Sequence, residues 1–216
     1  MQIPLIRKLA KPALTYGPAF LCPAVWAFAK YPQEMGWVAD AYGRTFGIIS
    51  SLYEDWTKVE GYGEPLERAL DEVRQPPSRI LDVATGTGFV ARKLKKMFPS
   101  AEVTGVDITS QMISIAQHQA VAEGLDIDFK VADSAELPFE DATFDLVVLQ
   151  NSIPYAEELM RVTAAGGRVL VIFSFGGPWV SLAWPALGEN FQAAGAEYIW
   201  SSTEGSGFYG VARRSK

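Results

Sequence analysis

From Gln75 onward the chain alternates short apolar runs with stretches whose apolar residues recur at helical spacing. That alternation is the pattern of βαβ units around a parallel sheet. The run RILDVA (79–84) reads as a buried strand, and a helix follows from about Val90 to Met97, stopped by Pro99. EVTGVDI (102–108) reads as the second strand, and SQMISIAQHQAVAEG (110–124) as a helix closed by Gly124. IDFKVAD (127–133), FDLVVLQ (144–150) and RVLVIFS (168–174) supply the third, fourth and fifth strands. Between the last two lies only a short helix, Glu157 to Thr163, ended by Gly166 and Gly167. AEYIWSSTE (196–204) and GFYGVARR (207–214) are joined by Gly205-Ser206 with no room for a helix, which makes a hairpin. The expected fold class is α/β, a doubly wound seven-stranded sheet, mostly parallel with an antiparallel strand in the C-terminal hairpin. About twenty residues separate the fifth strand from that hairpin, too few to cover a ligand.

Residues 1–74 precede this pattern and are expected to form a helical cap or lid, with residues 75–216 as the core. The stretch RKLAKPALTYGPAFLCPAVWAFAK (7–30) begins basic and turns apolar and aromatic. Gly17, Pro18 and Pro23 interrupt it, and its apolar part is shorter than the roughly 20 residues that span a bilayer. Neither a cleaved leader nor a membrane span is therefore expected. Capping of the domain's own pocket and peripheral membrane contact through Phe20, Trp26 and Phe28 both stay open. Further on, WVADAYGRTFGIISSLYEDW (37–56) carries aromatics suited to an apolar pocket, Tyr42 and Tyr53 among them.

Composition narrows the partners. The chain has 216 residues, 49% hydrophobic and 20% charged, which suits one well-cored domain. Its net charge of −6 argues against nucleic acid, whose phosphates are bound by a surplus of Lys and Arg. A small molecule is the expected partner. The single cysteine, Cys22, allows no internal disulfide and no Cys/His cluster has metal-ligand spacing, so no metal is expected and a cytoplasmic location fits.

The stretch ILDVATGTGFVA (80–91) is an apolar strand breaking into a Gly-rich turn and then a helix. In a doubly wound sheet such a turn lies in the ligand crevice beyond the strands' carboxyl ends. Two cofactors compete for it. Gly86-x-Gly88-x-x-Ala91 satisfies the dinucleotide fingerprint, with Asp107 at a suitable distance for a ribose. Counting leftward, Asp82 ends the first strand inside the crevice, where a pyrophosphate would meet like charge and an ammonium would not. Asp107 ends the second strand and could accept from both hydroxyls of a ribose. Asp133 ends the third and could accept from an exocyclic amine. Acids at three successive strand ends describe a ligand with an amine, a diol and an adenine, the combination found in S-adenosylmethionine.

These stretches resemble, in order, the motifs of the class I S-adenosylmethionine-dependent methyltransferases: ILDVATGTG the first, VTGVDIT the second, ADSAELPFEDATFDLVV the third and fourth, and RVTAAGGRVLVI the turn into the fifth strand. The resemblance covers about residues 76–214, and DVATGTG is similar to the form seen in ubiquinone- and menaquinone-biosynthesis methyltransferases. It implies a Rossmann-like fold, S-adenosylmethionine as methyl donor, and a small apolar or amphiphilic acceptor. It further implies that Asp82, Ala84, Thr85, Gly86, Thr87 and Gly88 surround the methionine part and that Asp107 holds the ribose. Ile108 and Met112 would pack on the adenine, with Asp133 accepting from its amine beside Ser134. Gln150 and Asn151 would face the methionine moiety and the acceptor. Ala84 stands where the family has its first glycine, and the helix before the fifth strand is shorter than usual.

Methyl transfer needs alignment more than proton transfer, and no convincing general base is visible. His118, the single histidine, falls on the polar face of its helix. Tyr155, Asn151 and Tyr53 are the candidates for residues beside the acceptor. SIPY (152–155) resembles the tetrapeptide with which amino-group methyltransferases hold a planar nitrogen, but begins about two residues late. An NAD(P)-dependent oxidoreductase and a non-catalytic protein that keeps the fold remain as alternatives.

Overall fold

The computed structural model describes Asp55 and residues 57–216. The stretch 7–30, Cys22, Tyr42 and Tyr53 lie outside the described residues. Among the described residues, no helix is long and apolar enough to cross a membrane, and no group of three or more His, Cys, Asp or Glu could hold a metal ion.

The strands are β1 (Arg79–Val83), β2 (Glu102–Asp107), β3 (Asp128–Val131), β4 (Phe144–Gln150), β5 (Thr163–Phe173), β6 (Ala196–Glu204) and β7 (Gly207–Arg214). The helices are α1 (Glu64–Leu70), α2 (Phe89–Met97), α3 (Ser110–Ala122), α4 (Ala156–Val162) and α5 (Gly177–Ala193). The strands form one seven-stranded sheet in the order β3-β2-β1-β4-β5-β7-β6. β1 to β5 pair in parallel, and β7 runs antiparallel to both its neighbours. This is the expected doubly wound, mostly parallel sheet. Helices cover both faces, which is why the central strands read as continuous apolar runs. Leu66 of α1, Leu94 of α2 and Ile113 of α3 pack with Ile80, Val148 and Ile172 on one face. Leu159 of α4 and Leu187 and Phe191 of α5 pack with Leu81, Val147 and Val171 on the other.

Two local expectations are corrected, and one element was not expected. The connection between β5 and β6 holds a seventeen-residue helix, α5. Its pattern hides it: Pro185 and Gly188 read as breakers, and apolar residues lie on both sides, Trp179 and Leu182 exposed opposite the buried Val180, Ala183, Trp184 and Leu187. Gly166 and Gly167 do not end α4, because β5 begins directly after it at Thr163. Thr163 pairs with Phe144 and Arg168 with Leu146, so the glycines sit in a bulge between the two pairs. The α4 terminus is instead satisfied by Arg214, whose guanidinium donates to the carbonyls of Met160 (3.1 Å), Arg161 (2.9 Å) and Thr163 (2.5 Å). Finally, β3 ends at Val131, two residues before Asp133.

α5 enters the fold through a tight gap. A Cβ placed on Gly177 would lie 2.1 Å from the carbonyl oxygen of Gly207, a backbone atom that cannot swing aside. Gly177→Ala is expected to lower stability by about 2–3 kcal/mol, the scale of an overpacked core, read as a lower urea midpoint.

Candidate active site

The crevice lies where strand order reverses between β1 and β4, at their carboxyl ends. Asp82, the penultimate residue of β1, is 1% exposed. Its Oδ2 accepts from Thr85 Oγ1 (2.5 Å) and from the Ala91 backbone N–H (3.0 Å). Its Oδ1 is buried and receives no hydrogen bond from the described residues. Burial pushes the Asp82 carboxyl up to about 7, with the nearby Asp107 adding to the rise and the two hydrogen bonds opposing it. The loss of hydration outweighs those bonds, and no cation among the described residues offsets it.

The turn after β1 is built on left-handed backbone. Ala84, Gly86 and Gly88 have φ of 54°, 55° and 79°. At Ala84 this costs about 1 kcal/mol, which explains why glycine is the ordinary choice there. At Gly88 a Cβ would also meet Ala116 at 3.0 Å and Phe129 at 3.2 Å. The Thr85 N–H donates to the Val106 carbonyl (2.8 Å), tying the turn to β2. Arg92, 7% exposed, donates to the Thr87 carbonyl (2.6 Å) and pairs with Glu123 (3.0 Å), which holds the turn from beneath.

Asp107 closes β2 with both carboxylate oxygens engaged. Oδ2 accepts from the Gly86 N–H (2.9 Å), and Oδ1 accepts from the N–H (3.0 Å) and hydroxyl (2.9 Å) of Thr109. Asp82 pairs with Gly105 on β2 and with Val148 on β4. Side chains alternate along strands, so Asp107 and Gln150, each two residues further on, share the sheet face of Asp82.

Gln150 ends β4 and is buried. Its Nε2 donates to the Ser174 hydroxyl (2.7 Å) and the Tyr62 carbonyl (3.3 Å), while its Oε1 is buried and receives no hydrogen bond from the described residues. Asn151, at φ 56°, clasps β4 to β5. Its Oδ1 accepts from the Ser174 N–H (2.8 Å), and its Nδ2 donates to the Ser174 hydroxyl (2.9 Å) and the Tyr62 hydroxyl (3.2 Å).

The remaining positions fall less centrally. Ile108 is 42% exposed beyond β2, whereas Met112 is 2% exposed and offers little open surface. Asp133 is exposed in a turn, with Oδ1 accepting from the Ala135 N–H (2.8 Å), and Ser134 beside it is half-buried. Tyr155 is half-buried just ahead of α4, Thr87 is buried, and His118 is exposed on α3. Tyr62, Ser174 and Arg92 bond to these residues although nothing in the sequence marks out the last two. The GYG triplet directly before a helix was the available signal for Tyr62.

Residues 80–171 match a family described as a methyltransferase domain. The chain is 40% identical over 138 residues to a demethylmenaquinone methyltransferase of Thermus thermophilus, covering 59% of this chain and 63% of that protein. It is 30% identical over 180 residues to a ubiquinone/menaquinone biosynthesis C-methyltransferase of Desulfotalea psychrophila, covering 74% of this chain and 72% of that one. The chain belongs to the class I S-adenosylmethionine-dependent methyltransferases. It spans less than two thirds of the length of the Thermus relative. Among solved structures, the [4+2]-cyclase SpnF superposes with a TM-score of 0.66 at 16% identity, over 82% of this chain and 96% of that one, a likeness of fold. The matched residues 80–171 take in β1, β2 and β4, whose ends carry Asp82, Asp107 and Gln150. S-adenosylmethionine, the cofactor of this family, takes the place of the dinucleotide in the reading of Gly86-x-Gly88-x-x-Ala91.

Proposed function

We propose that the protein transfers a methyl group from S-adenosylmethionine to a small apolar or amphiphilic acceptor, with a quinone-type ring, the class in its relatives' names, carried over as the acceptor. The observation that carries the donor assignment is the pair of buried acceptors, Asp82 Oδ1 and Gln150 Oε1, which share one sheet face at adjacent strand ends. Buried acceptors without donors are costly and call for a ligand that supplies N–H groups. An ammonium supplies three, with the charge that Asp82 lacks beside it.

In this reading Asp82 and Gln150 hold the ammonium, and the Gly86 to Gly88 turn lets the chain approach the methionine part closely. Each Asp107 oxygen keeps lone-pair capacity beyond its protein bonds and accepts from the ribose hydroxyls. Ile108 covers the adenine, and Asp133 and Ser134 edge it. When bound, the donor supplies an activated methyl that passes to the acceptor by direct displacement as the sulfonium becomes a neutral thioether. The protein contributes alignment, worth about 7–11 kcal/mol in favourable cases. Tyr155, at the head of α4, is the residue assigned to the acceptor side, and Asn151 fixes the β4 and β5 ends around it.

The test is calorimetric titration with S-adenosylhomocysteine, with NADH in parallel. The expected result is saturable binding of the first alone, in the micromolar range or about −8 kcal/mol. NADH binding alone would reassign the turn to a dinucleotide and overturn the proposal.

A further inference from the structure

Tyr62 lies between Gly61 and Gly63, just ahead of α1, yet it touches the ends of several crevice elements. Its carbonyl accepts from Nε2 of Gln150, the last residue of β4, and its hydroxyl accepts from Nδ2 of Asn151, the residue after it. Its ring stands edge-on to Phe89 at the head of α2, with centroids 5.2 Å apart and planes at 85°. It also meets Phe175, two residues beyond β5, with centroids 6.3 Å apart. The residue is 5% exposed.

The contact with Gln150 has a directional consequence. A backbone carbonyl can only accept hydrogen bonds, so it fixes which end of the Gln150 amide faces it. Nε2 then serves the Tyr62 carbonyl and Ser174 Oγ, and Oε1 is left as the buried acceptor. The Ser174 hydroxyl alone imposes no such choice, because a hydroxyl donates as readily as it accepts. If the amide turned over, two N–H groups would face the ligand's ammonium where an oxygen had been.

We propose that Tyr62 is a positioning residue of the donor site: packed against Phe89 and Phe175, its ring holds its carbonyl on Gln150 and so keeps Gln150 Oε1 turned to the ammonium of the methyl donor. The proposal rests on the reading that Gln150 and Asp82 receive that ammonium. Gly61 at φ 86° shapes the turn, the Tyr62 N–H donates to the Val59 carbonyl (3.1 Å), and the ring contacts add the tie to α2 and the β5 end.

The test compares two ligands that share adenine and ribose. S-adenosylhomocysteine carries the ammonium, whereas 5′-methylthioadenosine has neither ammonium nor carboxylate. Tyr62→Ala is expected to weaken S-adenosylhomocysteine about tenfold, the lower range for a hydrogen bond to a charged group, and to leave 5′-methylthioadenosine within about twofold. Tyr62→Phe keeps the ring and should hold both ligands within about threefold. Gln150→Leu should reproduce the selective loss, and combining it with Tyr62→Ala should add little, because the two act as one unit. If Tyr62→Ala does not fold, Tyr62→Leu keeps apolar bulk without the aromatic ring and gives the same comparison. Equal weakening of both ligands would make Tyr62 a structural residue only, and unchanged binding of both, or full additivity with Gln150→Leu, would also overturn the proposal. A parent protein that binds both ligands equally well would instead remove the ammonium reading itself.

Discussion

Asp82→Asn is expected to make the protein more stable at about pH 8 and to bind S-adenosylhomocysteine about 100-fold more weakly, the loss of a charged partner in a buried site. The two effects have one origin. The Asp82 carboxyl rises from 3.8 to about 7 on folding. Between those values the folded state holds a proton that the unfolded state has released, so stability falls as pH rises through this window. At about 1.4 kcal/mol per unit, roughly 3–4 kcal/mol is lost by neutral pH, and an amide, neutral throughout, avoids the loss. The same ionisation serves the ligand. Below about pH 7 the acid must give up its proton before it can face an ammonium, so affinity should drop about tenfold per unit as pH falls. Above that range it should level off. The partner charge on the neighbouring strand is Asp107, which shifts Asp82 in the same direction as burial. Thermal unfolding and calorimetry at several pH values read both effects. A parent whose affinity is flat through this range, or an Asn variant no more stable than the parent, would contradict the assignment.

Asp107→Asn should lose about 100-fold in affinity for S-adenosylhomocysteine and for 5′-methylthioadenosine alike, since both carry the ribose diol. The substitution is nearly isosteric but chemically severe. Gly86 N–H points at one oxygen and the N–H and hydroxyl of Thr109 at the other. An amide places a donor against one of these sets, whichever way it is turned. The turn after β1 then loses its tie to β2 at Gly86, and the ribose loses a bidentate acceptor. Equal loss of both ligands separates Asp107 from Asp82 and Gln150, whose loss should fall on the amino-acid end. Weakening confined to S-adenosylhomocysteine would move Asp107 away from the ribose.

The strands were legible because burial on both faces makes Leu146 to Leu149 and Val169 to Ile172 uninterrupted apolar runs, and Ile80 to Val83 a run broken only by Asp82. The Gly-rich turn was legible because left-handed backbone leaves a mark in residue type at Gly86 and Gly88. Even the exception, Ala84, was visible as a departure. α5 was not, because apolar residues surround it and periodicity vanishes when Trp179 and Leu182 face outward while Val180 and Trp184 face in. The position of Asp133 shifted because β3 stops at Val131, a boundary set by pairing with β2 and not by residue type. The GYG triplet marked Tyr62, but its contact with Gln150 was invisible for a different reason. Its contact with Gln150 runs through a carbonyl that every residue possesses, and only the folded chain shows which one is used.

The position of β7 has a consequence for how the molecule assembles. This strand follows β6 in the chain yet lies between β6 and β5. When β6 leaves the ribosome it therefore has no edge to join, and it must wait until the next segment slots into place on both sides. The contacts that β7 makes with β5 bridge about forty residues, from Arg168 with Arg213 to Phe173 with Phe208, and such distant pairings slow folding. Until then the β5 border presents an open ladder of amides and carbonyls, the kind of surface to which a second nascent chain can bind.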